Sequence, residues 1–280
     1  MDMSYKILVP LDGSAESENA LTYARLLAAK TQVSLDLLRC FEPPAAVYTL
    51  PDLDRLGSDV LAEHNLQEHM LAYLEQKKGE LGDLSCDVNV VCGHPATEIL
   101  SRAESADLLV IARHGRSGLG RWLLGGVTAH VARASSKPVI VVPCGTAEEQ
   151  PKLETIMVCL DGSEIAERGL EEAVKLAAAV GAKLSLYRFV PLASAADPEG
   201  ELIEAKAYLQ SLREKHSELV FHTYAQPGAW RHNIVESAQE LQVDLLVMGS
   251  HGRRGVARWL LGSVAEHALH HIPCPIMIVH

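Results

Sequence analysis

The chain has 280 residues, 48% of them apolar and 22% charged, with a net charge of −11. That length supports one large or two ordinary cores, and the composition is not that of a disordered chain. The acidic balance argues against a general nucleic-acid binder, and no apolar run is long enough to span a membrane.

Six scattered cysteines, with no C-x-x-C pair, suit buried thiols rather than a disulfide framework. The first residues run straight into Ile7-Leu8-Val9 without a basic and apolar leader, so a cytoplasmic protein is expected.

In chain order, Lys6 to Leu11 is an apolar run that ends at a turn, which predicts a strand. Ala15 to Lys30 carries Ala20, Leu21, Ala24, Leu27 and Ala28 on one helical face. Strands follow at 35–41, 86–91, 108–112 and 139–142, and helices at 56–80, 96–103 and 123–134. The second half predicts strands at 156–160, 184–190, 220–224, 245–248 and 276–279.

The chain also repeats itself. Leu11-Asp12-Gly13-Ser14 recurs as Leu160-Asp161-Gly162-Ser163, and Arg121-Trp122-Leu123-Leu124-Gly125 recurs as Arg258-Trp259-Leu260-Leu261-Gly262. Residues 105–143 and 242–280 share about 17 of 39 positions without a gap. So long a period means two fused copies of one domain, at 1–145 and 152–280, joined by a polar linker near Gly145 to Pro151. Near-continuous Leu/Ile/Val strands alternating with helices predict an α/β fold. Each copy is expected to be a doubly wound, Rossmann-like, five-stranded parallel sheet in the order 3-2-1-4-5. The final strands, 139–142 and 276–279, are then apolar edges, and the halves are expected to pack through them as a pseudo-dimer.

In that order strands 1 and 4 are neighbours whose crossovers leave to opposite sides. Ligands bind at this switch point, beyond the carboxyl ends of the strands. The second copy places Asp161-Gly162 at the end of strand 1. It places Gly249-Ser250-His251-Gly252 at the end of strand 4, and Gly262-Ser263 at the next helix start. Glycine lets backbone amides approach a phosphate, a helix N-terminus favours an anion, and an aspartate can accept from ribose hydroxyls. The plainer alternatives are that Asp12 and Asp161 cap helices and that the glycines only shape loops. There is no Walker A sequence, and Gly115-x-x-Gly118-x-Gly120 follows the wrong strand for a dinucleotide fingerprint.

Gly249-x-x-Gly252, nine residues, then Gly262-Ser263 match the ATP-binding signature of universal stress proteins, and the chain resembles a tandem member of that family across both halves. The resemblance implies a nucleotide-binding stress or regulatory protein, with ATP held mainly by the second domain. It implies ribose on Asp161, adenine near Phe189 and the phosphates around Gly252, Gly262, Ser263 and Val264. Met248, Gly249 and Arg253 complete the expected set. Mg2+ would accompany the ATP, with no protein metal site and no catalytic residue assigned. Slow hydrolysis is compatible with this. In the first copy the motif reads Ala112-x-x-Gly115, nine residues, then Gly125-Gly126. A methyl group replaces the first glycine's hydrogen and the hydroxyl is gone. Asp12, Cys40, Gly115, Gly125 and Gly126 are therefore expected to form a weaker site. The expected partners are an adenine nucleotide and a second copy of the chain, with neither nucleic acid nor membrane. The alternative reading is a scaffold without nucleotide, or a stress protein that takes a lipid or a metal.

Other clusters are read as structural. His267, His270 and His271 suit the negative end of a helix. Trp122 and Trp259 suit packing anchors.

Overall fold

The computed structural model describes residues 5–42, 53–114, 124–144, 151–190, 197–228, 230–252 and 261–280. The first half contains β1 (Lys6–Pro10), α1 (Ala15–Thr31), β2 (Ser34–Phe41), α2 (Leu53–Glu80) and β3 (Cys86–Cys92). It continues through α3 (Pro95–Ala103), β4 (Leu108–Ala112), α4 (Gly126–Ala134) and β5 (Val139–Val142). The second half contains β6 (Thr155–Cys159), α5 (Glu164–Val180), β7 (Lys183–Val190), α6 (Pro198–Lys215) and β8 (Val220–Pro227). It ends with α7 (Trp230–Glu240), β9 (Leu245–Gly249), α8 (Ser263–His271) and β10 (Ile276–Val279).

Local chemistry explains the helix starts. Ser14 and Ser163 sit in extended backbone and accept from Ser17 N and Ala166 N at 3.1 and 3.3 Å. Gly13 and Gly162 adopt φ of 82° and 81°, so the turn between strand and helix closes without a Cβ clash. One expectation shifts. The helix foreseen over 123–134 begins at Gly126, because Gly125 N donates to Arg113 O at 2.9 Å and holds the chain extended there.

The ten strands form one sheet in the order β3-β2-β1-β4-β5-β10-β9-β6-β7-β8. Each half thus has the order 3-2-1-4-5. All neighbours are parallel except β5 and β10, which pair antiparallel with Val141 opposite Ile276 and Val139 opposite Ile278. The two apolar edges cover each other, and the ladder runs unbroken from one half into the other. Ile7, Val9, Ile156 and Val158 face one continuous core under α1 and α5. Leu8, Leu109, Met157 and Leu246 face a second core on the opposite side, under α4 and α8.

Polar groups also cross between the halves. The buried Arg113, just after β4, donates from Nη2 to Ile272 O at 2.6 Å. Ile272 caps the C-terminus of α8, so the guanidinium meets the negative end of that helix. On the surface, Arg133 of α4 pairs with Glu266 of α8 at 2.9 Å.

Candidate functional site

The crevice of the second half lies where β6 and β9 end. From β6 the chain turns through Asp161 into α5. From β9 it turns through Gly249 to Gly252, and returns at Gly262 to start α8 on the opposite face of the sheet. A cavity of about 800 Å³ fills this fork, within the ordinary range for small-molecule sites.

One wall is the start of α8. Gly262 occupies the N-cap without a side-chain bond, and its carbonyl accepts from Glu266 N at 2.9 Å. The amides of Ser263, Val264 and Ala265 therefore have no acceptor within the helix, and these residues line the cavity. They form the positive end of the helix dipole, where an anion is favoured.

Across the fork stands Asp161. Its Oδ1 accepts from Ser163 N at 3.0 Å and from Ser163 Oγ at 2.6 Å, so the turn holds the carboxylate in place. Its Oδ2 lies over Gly252, where a Cβ would run into it. Asp161 thus shapes the turn and lines the cavity at once. Phe189 and Trp230 meet edge to face at 5.3 Å on the floor, beside the stacked pair Tyr187 and Tyr224 at 4.6 Å. Burial and the Asp161 carboxylate push the Cys159 thiol well above its usual range, so it stays protonated and is no nucleophile.

Of the residues expected here, Asp161, Phe189, Met248, Gly249, Gly252, Gly262, Ser263 and Val264 all line this cavity. Arg253 lies outside the described residues, as do Gly115, Trp122 and Trp259. In the first half, Asp12, Cys40, Gly125 and Gly126 line the corresponding crevice, whose volume is only about 270 Å³.

Two of these glycines also have a packing reason. A Cβ on Gly249 would sit 2.6 Å from Ile165 Cγ2 and 3.4 Å from Ala166 N. That glycine makes room for α5 as well as lining the cavity. Ala112, its counterpart, is buried in the same core as Leu108 and Val110. Ala112 also lines the first crevice, so it meets both the helix packing and the cavity. Gly262 likewise lets the β9 exit close on α8. Its N–H donates to Ser250 O at 2.6 Å, and a Cβ would lie 3.1 Å from His251 Cα. A valine there would push the loop from the helix before it touched any ligand.

The structure adds residues that the motif does not contain. Arg188 of β7 lines the large cavity, with Glu201 and Glu204 of α6 nearby. Its guanidinium lies 5.0 Å from the ring centre of Tyr208, whose hydroxyl donates to Glu167 at 3.0 Å. The first half repeats this set. Arg39 lies 4.7 Å from the Tyr73 ring, and Tyr73 donates to Glu18 at 3.0 Å. There the arginine is buried and donates to the Asp12 carbonyl at 3.3 Å. The signal was available: an arginine stands at the same place in the apolar C-terminal halves of two strands, Leu-Leu-Arg-Cys-Phe and Leu-Tyr-Arg-Phe-Val.

The universal stress protein family model matches residues 3–143 and again 152–280. The chain belongs to the universal stress protein family. It is 26% identical to a universal stress protein of Mycolicibacterium smegmatis over 98% of this chain and 97% of that one. It is equally identical to one of Mycobacterium tuberculosis H37Rv, over 97% and 96%. The crystal structure of a universal stress protein from Archaeoglobus fulgidus covers 99% of this chain and 98% of its own, with a TM-score of 0.76 at 21% identity. Among universal stress proteins this chain is thus a tandem form, and its full-length relatives share the doubled length.

Proposed function

We propose that this universal stress protein binds ATP in the crevice of its second half and acts as a nucleotide-responsive stress or regulatory protein. One observation carries the reading. A cavity of about 800 Å³ has a helix N-terminus on one wall and an anchored aspartate on the other, while the matching crevice of the first half holds about 270 Å³. The amides of Ser263 to Ala265 suit phosphate, and Asp161 Oδ2 suits ribose hydroxyls. The aromatic floor at Phe189 and Trp230 suits a base. Glu201 and Glu204 make a bare triphosphate unwelcome, so Mg2+ on the nucleotide would offset their charge.

Calorimetric titration with ATP and Mg2+ is expected to show one strong site per chain. Gly252→Val places a side chain against the Asp161 carboxylate and is expected to weaken ATP at least a hundred-fold. Asp161→Ala loses a hydrogen-bonded group and is expected to cost about 1–3 kcal/mol, roughly ten- to a hundred-fold. Asp12→Ala is expected to leave the affinity unchanged. Two equal sites, or full affinity in Gly252→Val, would overturn the placement.

No helix among the described residues is long and apolar enough to cross a membrane. We place the protein in the cytoplasm and expect chains to pair. Light scattering that returns the mass of one chain would overturn the pairing.

A further inference from the structure

We propose that His267 and His271, one turn apart at the end of α8, form a two-histidine site for a divalent transition-metal ion, Cu2+ first among them. Neither residue lines a crevice, so the site is separate from the nucleotide reading. The two rings stack with centres 4.0 Å apart and planes tilted by 21°. Two metal–nitrogen bonds of about 2.0–2.1 Å span at most about 4.2 Å, so a small turn of the side chains lets one ion reach both rings. Residues four apart share a helix face, the spacing with which paired histidines hold zinc on a helix. Among the described residues no group of three histidine, cysteine or carboxylate side chains is placed to hold an ion, so water would complete the coordination.

The backbone prepares both rings. His271 Nδ1 lies 2.8 Å from the His267 carbonyl oxygen. A carbonyl only accepts, so Nδ1 carries the proton and Nε2 of the neutral ring keeps the lone pair that a metal needs. The His267 ring hydrogen-bonds the backbone of Arg231 on α7 in the sense that favours the ring's proton, so it too donates through one nitrogen and keeps a lone pair on the other. A ring N–H held by a backbone carbonyl is the usual support of a metal-bound imidazole. The last turn of α8 ends at His271, and its carbonyls present the negative end of the helix dipole to a cation. The Arg231 charge beside His267 opposes a cation. The balance therefore favours ions that bond strongly to imidazole, with Cu2+ tightest in the divalent series, over Mg2+ or Ca2+, which seek oxygen.

The test titrates the nucleotide-free full chain with CuCl2, in a Cys92→Ser parent that removes an exposed thiol, with MgCl2 as the competing hard ion. One Cu2+ per chain is expected to bind at least ten-fold more tightly than any further ion. Its electron paramagnetic resonance spectrum is expected to show coupling to two imidazole nitrogens, and Mg2+ is expected not to displace it. His271→Ala changes an exposed residue, and His267→Gln keeps a polar side chain of similar size. Each is expected to weaken the first Cu2+ at least ten-fold, and the double variant hardly more, because losing either ring ends the chelate. ATP affinity is expected to stay unchanged in all three variants, so this site stands or falls apart from the nucleotide site. A first ion held as tightly by the double variant as by the parent, displacement by Mg2+, or a parent spectrum without two imidazole nitrogens would each overturn the proposal. The parent spectrum decides even where a variant fails to fold.

Discussion

The two crevices are built from the same parts and differ threefold in volume. Both have an aspartate held by the N-cap serine, a glycine pinned under the fourth strand's exit, and an arginine laid on a tyrosine. In the second half Arg188 lines the cavity, whereas in the first half Arg39 is buried on the Asp12 carbonyl. Lys77 joins that side, donating to Glu18 at 2.9 Å. At the neighbouring position, Cys40 stands where Phe189 provides aromatic floor. The lesson is that a duplicated scaffold keeps its turn and capping chemistry, because the fold requires them. The crevices diverge instead at the second strand, Arg39 and Cys40 in one half against Arg188 and Phe189 in the other.

The largest effect expected from breaking this comparison concerns a charge that the second half lacks. Asp36 of β2 is fully buried, accepting from Asn89 at 2.7 Å and from Arg102 at 2.8 Å, whereas Ser185 holds the equivalent place in β7. Arg102→Ala leaves a buried carboxylate without its cation. It is expected to destabilise the chain by about 3 kcal/mol in urea unfolding, less than a fully buried pair because Arg102 is partly exposed. Unchanged stability would show that Asn89 alone satisfies Asp36.

A second difference titrates. His280 follows β10, where Pro143 follows β5. Burial lowers its pKa to about 4 from the ordinary 6.5. Between those values the unfolded chain binds a proton that the folded chain refuses. The folded state is thus favoured above about pH 6.5 and loses that advantage as the pH falls towards 4. His280→Phe is expected to flatten this limb by at most about 3 kcal/mol. A wild-type stability curve that is level from pH 7 to 4.5 would refute it.

Smaller effects probe what the halves share. Ser14→Ala and Ser163→Ala are each expected to cost about 1 kcal/mol of stability, nearly equal in the two halves, since each removes the same cap. Asp161 also loses one of its two bonds to Ser163 in Ser163→Ala, so only that variant is expected to weaken ATP. The least change is expected from Gly126→Ser, which restores the missing hydroxyl at a position where a Cβ meets nothing within 4 Å. Calorimetry is expected to show no second ATP site, because volume and not the hydroxyl separates the crevices. A new strong site would reverse that conclusion.

Much of the large crevice was legible in order along the chain. Eight of its expected residues fall on its wall: Asp161, Gly249, Gly252, Gly262 and Ser263 carry local signals at strand ends and a helix start, while Phe189, Met248 and Val264 entered with the family resemblance. Arg188, Glu201, Glu204 and Trp230 were not read. They come from β7, α6 and α7, and no short motif ties those elements to the fork.

The sequence by itself determined the duplication, the alternation of strands and helices, the serine caps and the ends of the strands where a ligand would sit. Each rests on periodicity or on contacts between residues a few positions apart. Only the tertiary structure decided that Gly249 serves α5 and Gly262 serves the β9 exit, and that one crevice is three times the other. It also decided that the edges β5 and β10, expected to meet, do so as an antiparallel ladder that makes two sheets one. Those outcomes depend on which surfaces meet across more than a hundred residues, and packing volume and edge pairing exist only once they have met.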